Sequence, residues 1–137
     1  MRFETDKDLN REELAIQSFV GAFKGTYQKL GDNDVDFKIS DANGIAIAFA
    51  EVKGRMREIK DAYPLPVSVK KLIKITDKHL VPVIIWACYD GIIYSKVKDL
   101  KGTIKIGGRK PRVGSHNDIE LMAYYKKENN NFKTIYY

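Results

Sequence analysis

Cysteine occurs once and histidine twice in these 137 residues, so the chain can found neither a disulfide framework nor a zinc site with recognisable ligand spacing. Cys88 sits inside an apolar run with no paired histidine, which assigns it to the core and sets a reducing, intracellular compartment as the expectation. Long apolar runs are missing too. The longest, Leu80 to Tyr89, has ten residues, about half of what a bilayer crossing needs, so no membrane partner is expected. The start of the chain is charged from its second residue, so no secretory signal is expected and a cytoplasmic protein is read. Repeats, low-complexity tracts and the G-x-x-x-x-G-K-[ST] spacing of a phosphate loop are also absent.

What is present, 44% hydrophobic and 31% charged residues in 15.7 kDa, describes one globular domain over 1–137. Charge is unevenly spread: residues 1–50 carry six Lys/Arg against nine Asp/Glu, residues 51–100 ten against six, and residues 101–137 eight against three. That gradient suggests an anionic partner held near a local cluster of carboxylates, with a basic, β-rich extension at about 101–137. The plain alternative is a solvated basic surface.

The apolar positions Ile16, Val20, Phe23, Tyr27 and Leu30 follow a 4-3-4-3 spacing, which predicts a helix over about 10–30 stopped by Gly31. Strands are expected at 35–40 and 45–53 around Asp41-Ala42-Asn43-Gly44, because Asn-Gly between β-patterned runs is a strong hairpin signal. A second helix is expected over 67–79, then strands at 81–88 and 92–97. The tail adds strands at 103–106, 119–125 and 132–137, with Glu128-Asn129-Asn130-Asn131 read as a hairpin turn. This order implies an α/β fold, a central sheet flanked by helices.

A two-residue turn at Asn43-Gly44 would pair Phe37 with Ala50 and Ile39 with Ala48 on one apolar face. The other face would then set Asp36 opposite Glu51 and Asp34 opposite Lys53. Facing carboxylates repel, but opposed Cβ atoms about 4.5–5.5 Å apart let both reach one hard cation. Lys53, two residues past Glu51, projects from the same face. Stepping the helical spacing back from Ile16 lands on Glu13, a carboxylate in an otherwise apolar stripe. Each has an ordinary reading as well: a surface pair at a strand end, an exposed ion pair, a glutamate favoured by the first helical turn.

Helical Glu13, Asp36 opening Asp-Phe-Lys-Ile, and Glu51-Val52-Lys53 on the next strand resemble the PD-(D/E)XK nuclease superfamily. The likeness is nearest to its compact, Holliday-junction-resolvase-like members and covers about 11–97. Val35 stands where the family name has proline, and Asp34 is an alternative to Asp36. The resemblance implies a mixed central sheet flanked by helices, a restriction-endonuclease-like core in the order α-β-β-β/α-β. It also implies hydrolysis of a nucleic-acid phosphodiester. Asp36, Glu51 and the Val52 carbonyl would hold Mg²⁺, or Mn²⁺ in its place. Glu13 would act on the ion directly or through water, and Lys53 would assist.

Arg55, Arg57, Lys70, Lys71 and the loop residues Arg109, Lys110 and Arg112 are the expected nucleic-acid contacts, each alone being as compatible with solvated surface. The leading expectation is a Mg²⁺-dependent endo- or exodeoxyribonuclease on branched or single-stranded DNA, with RNA left open. A homodimer is expected if the substrate is a duplex or junction, and the compact size fits a phage or mobile-element gene. The alternatives are a nuclease-fold nucleic-acid binder without turnover and a protein–protein adaptor using the basic carboxyl-terminal strands.

Overall fold

The computed structural model describes residues 6–31, 36–77, 79–108 and 119–137. A six-stranded mixed sheet runs β1 (Thr26–Lys29), β2 (Phe37–Ser40), β3 (Ala46–Gly54), β5 (Val81–Ala87), β6 (Gly91–Lys96) and β9 (Lys133–Tyr136). Only β3 and β5 pair in parallel; the other neighbours are antiparallel. A smaller sheet sets β8 (Ile119–Tyr125) between β4 (Leu65–Ser68) and β7 (Thr103–Gly108). Two α-helices lie among the described residues, α1 (Asp6–Gly21) and α2 (Val69–Thr76). The α/β class and its restriction-endonuclease-like arrangement stand as expected. No helix among the described residues is long and apolar enough to cross a membrane.

Alternation along β3 divides the interior into two layers. Ala48, Ala50 and Val52 join Phe37 and Ile39 beneath Ala15, Ile16, Phe19 and Val20 of α1. The alanines leave the helix room to lie close. Phe49 faces the other way, into a cluster with Leu65, Val67, Ile75, Ile84, Trp86, Ile93, Ala123 and Tyr125. That second layer is roofed by α2 and by the small sheet.

The hairpin between β2 and β3 keeps the expected register at Phe37–Ala50 and Ile39–Ala48, but by another route. Asp41 N–H donates to the Ile45 carbonyl at 2.9 Å, so three residues, 42–44, form the loop rather than two. The Asp41 carboxylate accepts the N–H groups of Asn43 and Ile45, and Gly44 takes φ 80°, the left-handed residue that such a loop ends on. A bulge between Ile39 and Ser40 cancels the one-residue slip.

Three expectations are corrected. The first helix ends at Gly21, because Lys24 turns left-handed (φ 58°) and Thr26–Lys29 pairs with β2; Tyr27 therefore lies in a strand and Leu30 just past its end, and their helical spacing is coincidental. The second helix begins at Val69, not 67, and ends at Thr76. Val67 is strand, and Ser68 caps the helix by accepting the Lys71 N–H. Pro66 is tolerated in β4 because that strand is an edge. The segment at 128–131 is not a hairpin turn: a 3-10 turn, Lys127–Asn129, carries the chain from β8 in one sheet to β9 in the other.

Trp86 ties the sheets together. It is fully buried, its indole N–H donates to the Pro66 carbonyl at 2.8 Å, and its ring meets Tyr125 and Phe132 edge-on. Trp86→Phe should cost on the order of 2–4 kcal/mol, the sum of a cavity and an orphaned carbonyl. Urea unfolding followed by far-UV circular dichroism measures it; a loss under 1 kcal/mol would mean that this tie is not what docks the small sheet.

Candidate metal centre and nucleic-acid surface

Asp36 and Glu51 meet where the β2–β3 pairing ends, and they are joined through the backbone. The Val52 N–H donates to Asp36 Oδ2 at 2.8 Å, and the Asp36 N–H donates to Glu51 Oε2 at 3.1 Å. Each carboxylate thus has one oxygen fixed by a main-chain donor on the opposite strand. Asp36 is half-buried, whereas Glu51 is only 4% exposed, the one acid among the buried described residues.

That burial has an electrostatic consequence. Desolvation first, then the Asp36 charge and a hydrogen bond between the two carboxyls, push Glu51 from 4.5 up to about 7; the Lys71 ammonium pulls it down. Two adjoining carboxyls in a dry setting ask for a positive charge, whether a proton or a metal ion. Hard, charged oxygen donors of this kind suit a divalent cation such as Mg²⁺, which binds through one or two carboxylates and keeps its remaining positions for water and phosphate. The donor set fits. No group of three or more His, Cys, Asp or Glu side chains among the described residues could hold an ion.

The other expected residues fall into distinct places. Lys53 is half-buried on β3 and, two residues on, shares the Glu51 face. Lys71 is half-buried on α2 and close enough to Glu51 to bias its titration, so it stands at the acidic pair rather than out along the helix. Glu13 is exposed instead of lying in the apolar stripe, which runs through Ala15, Ile16, Phe19 and Val20. Its Oε1 accepts the Tyr27 hydroxyl at 2.9 Å, on the α1 side of the sheet, and it is not brought against Asp36 and Glu51.

Arg55 is committed to the fold. Its Nε donates to the Ala62 carbonyl at 2.8 Å and its terminal nitrogen to Pro64, clasping the 59–64 loop; burial and Arg57 hold its pKa below the usual guanidinium value. Arg57 and Lys70 are exposed. Asp34, Arg109, Lys110 and Arg112 lie outside the described residues. Cys88 is buried, and that burial pushes its thiol up to about 11, consistent with an inert core residue.

Lys38 escaped the sequence reading. It pairs with Phe49 between Asp36 and Ser40, so alternation sets it on the face of the carboxylates. The signal was in plain view, since Asp-Phe-Lys places a lysine two residues beyond the acid.

A family model described as "Phage putative PDDEXK endonuclease" matches residues 1–135. No curated protein and no solved structure matches the chain.

The raised Glu51 value fixes a pH dependence. A carboxyl that holds its proton more tightly folded than unfolded costs stability as pH climbs from about 4.5 through about 7, and the cost levels off above that. In chelator, Glu51→Gln should remove this decline and exceed the parent chain above pH 7 by on the order of 1–3 kcal/mol. Thermal melts from pH 4.5 to 8.5 check it, and equal slopes for the two proteins would contradict the buried pair.

Proposed function

The chain belongs to the phage putative PDDEXK endonuclease family, within the PD-(D/E)XK superfamily, and from that premise we propose that it is a divalent-metal-dependent nuclease that hydrolyses DNA phosphodiesters. The observation that carries this reading is the reciprocal backbone clasp of Asp36 and Glu51, which holds two carboxyls together despite their repulsion. Asp36 and Glu51 would hold the ion, Mg²⁺ or Mn²⁺, with the Val52 carbonyl as a further donor. When bound, the ion polarises the phosphate and lowers the pKa of water.

The chain's own groups do the rest. Lys53, on the same strand face, stabilises negative charge that develops on the phosphate oxygens. Lys71 and Lys38 bring positive charge beside the carboxylates and steer the phosphate backbone toward them. Glu51 must be ionised to bind a metal, so the proton it holds up to about pH 7 has to leave first. Glu13, bonded to Tyr27, is assigned only an action through water. Arg57 and Lys70, with Arg109, Lys110 and Arg112, add phosphate contacts, while Arg55 is committed to holding the 59–64 loop. A homodimer would widen the small footprint for a duplex or junction.

Cleavage of a labelled DNA with Mg²⁺ should fall at least about 100-fold in Asp36→Asn and Glu51→Gln, and about as far in Lys53→Ala. Mg²⁺ should also raise the melting temperature of the parent chain at pH 8, and neither carboxylate variant should respond. Unchanged cleavage in all three variants would remove the assigned site. Retained DNA binding with no Mg²⁺ response and no cleavage would favour the binder without turnover.

A further inference from the structure

A second candidate site lies on the small sheet. A solvent-open cavity of about 470 Å³ is lined by the exposed residues Lys101, Gly102, Thr103, Lys126 and Asn129 and by half-buried Tyr124. Its volume falls in the roughly 300–1,000 Å³ range of small-ligand pockets. Two ammonium groups, a phenol, a hydroxyl and an amide line it, and the motifs assigned to the metal centre use none of them.

The cavity is built rather than incidental. Asn130 bridges its two walls: its Oδ1 accepts the Lys101 N–H at 2.7 Å, and its Nδ2 donates to the carbonyls of Lys101 and Lys126, each at 2.9 Å. Gly102 lets the walls close up, because a Cβ there would lie 2.4 Å from the Tyr124 carbonyl and 2.5 Å from the Tyr125 ring. Tyr124 is held between Thr103 and Pro66 in the sheet, with neighbouring Tyr125 buried on the core side. Strand alternation therefore turns the Tyr124 ring outward, into the cationic surroundings.

The small sheet docks on the same side of the main sheet as Glu51. Trp86 and Phe49 face that layer, and Pro66, beside Tyr124, is the residue whose carbonyl Trp86 holds. Two residues along the same strand pair, Ser68 faces Met122 and caps the helix that carries Lys71 to Glu51. The cavity and the carboxylates thus lie on one side of the main sheet, linked through β4 and α2.

We infer that this cavity is a nucleotide subsite for a single-stranded segment of the nucleic acid: Tyr124 stacks a base, while Lys101 and Lys126 neutralise its flanking phosphates. Thr103 and Asn129 offer hydrogen bonds to the base or sugar edge. A base within a duplex is stacked on both faces and cannot present one to Tyr124, so the site discriminates in favour of an unpaired strand. This rests on the nuclease reading for its substrate class, and deepens it.

Binding of a fluorescein-labelled dT oligonucleotide by anisotropy, in chelator so that nothing is cleaved, tests the subsite apart from the chemistry. Tyr124→Ala should weaken binding about ten-fold or more, Tyr124→Phe should keep it, and a duplex of equal length should be indifferent to both. Lys101→Ala with Lys126→Ala should make the slope of log affinity against log salt shallower by about 1.4, the release expected from two single-strand phosphates. Equal affinity in Tyr124→Ala and the parent, or an equal loss on duplex, overturns the inference. The two readings fail separately. Weakened binding in Tyr124→Ala beside undiminished cleavage in Glu51→Gln keeps the subsite and sinks the metal centre; the reverse pattern sinks the subsite alone.

Discussion

The site is organised by a side chain that takes a place in the backbone hydrogen bonding of its neighbour. Asp36 precedes the first paired residue of β2, and its carboxylate, rather than a main-chain carbonyl, accepts the Val52 N–H. Its own N–H goes to Glu51, so neither acid can swing away without orphaning a donor. The clasp opposes the repulsion between the carboxyls and sets the strand end on which Glu51, Val52 and Lys53 follow one another. In the proposed function, a cation that neutralises the pair would complete an arrangement the backbone has already imposed.

Around that point the main sheet works as a partition. The α1 side is apolar and closed: alanines on β3 admit the helix, and Phe19 packs edge-on to Tyr94 and Phe23. The other side is shared between a short helix and a small sheet. Along its face β3 passes from Phe49 in the core to Glu51 at the core's edge and then to half-buried Lys53. Glu51 is dry because it stands at that edge, and its pKa rises for the same reason. Lys71 reaches it because Ser68 starts α2 at a defined residue, where β4 ends.

Much of the candidate site was legible because strand pairing is a local rule. Asp-Phe-Lys-Ile, an Asn-Gly turn and Glu-Val-Lys suffice to bring Asp36 to Glu51, even though the three-residue loop slips the register and a bulge restores it. Neither compensation can be read from a hydrophobic pattern. Tyr27 and Leu30 carried a helical spacing that tertiary pairing overrode, since Thr26–Lys29 supplies an edge strand to β2. The small sheet was hidden for a related reason. Its strands come from 65–68, 103–108 and 119–125, and contacts between segments so far apart leave no mark on any one of them. Glu13 was drawn toward the site by its helical spacing and by the family resemblance, whereas α1 lies on the closed side and gives that carboxylate the Tyr27 hydroxyl.

The proposed site would have to take both a metal ion and a phosphodiester, and these are opposing demands, because the first ligand calls for negative charge and the second for positive. Here the two signs are separated by reach and stiffness. The carboxyls are short, backbone-bound and, in Glu51, buried, so their field is fixed and only weakly screened. The lysines, Lys38, Lys53 and Lys71, come from three different elements on long stems whose ammonium groups can follow a phosphate. Lys71 already shows the balance, since its charge partly offsets the burial that lifts Glu51.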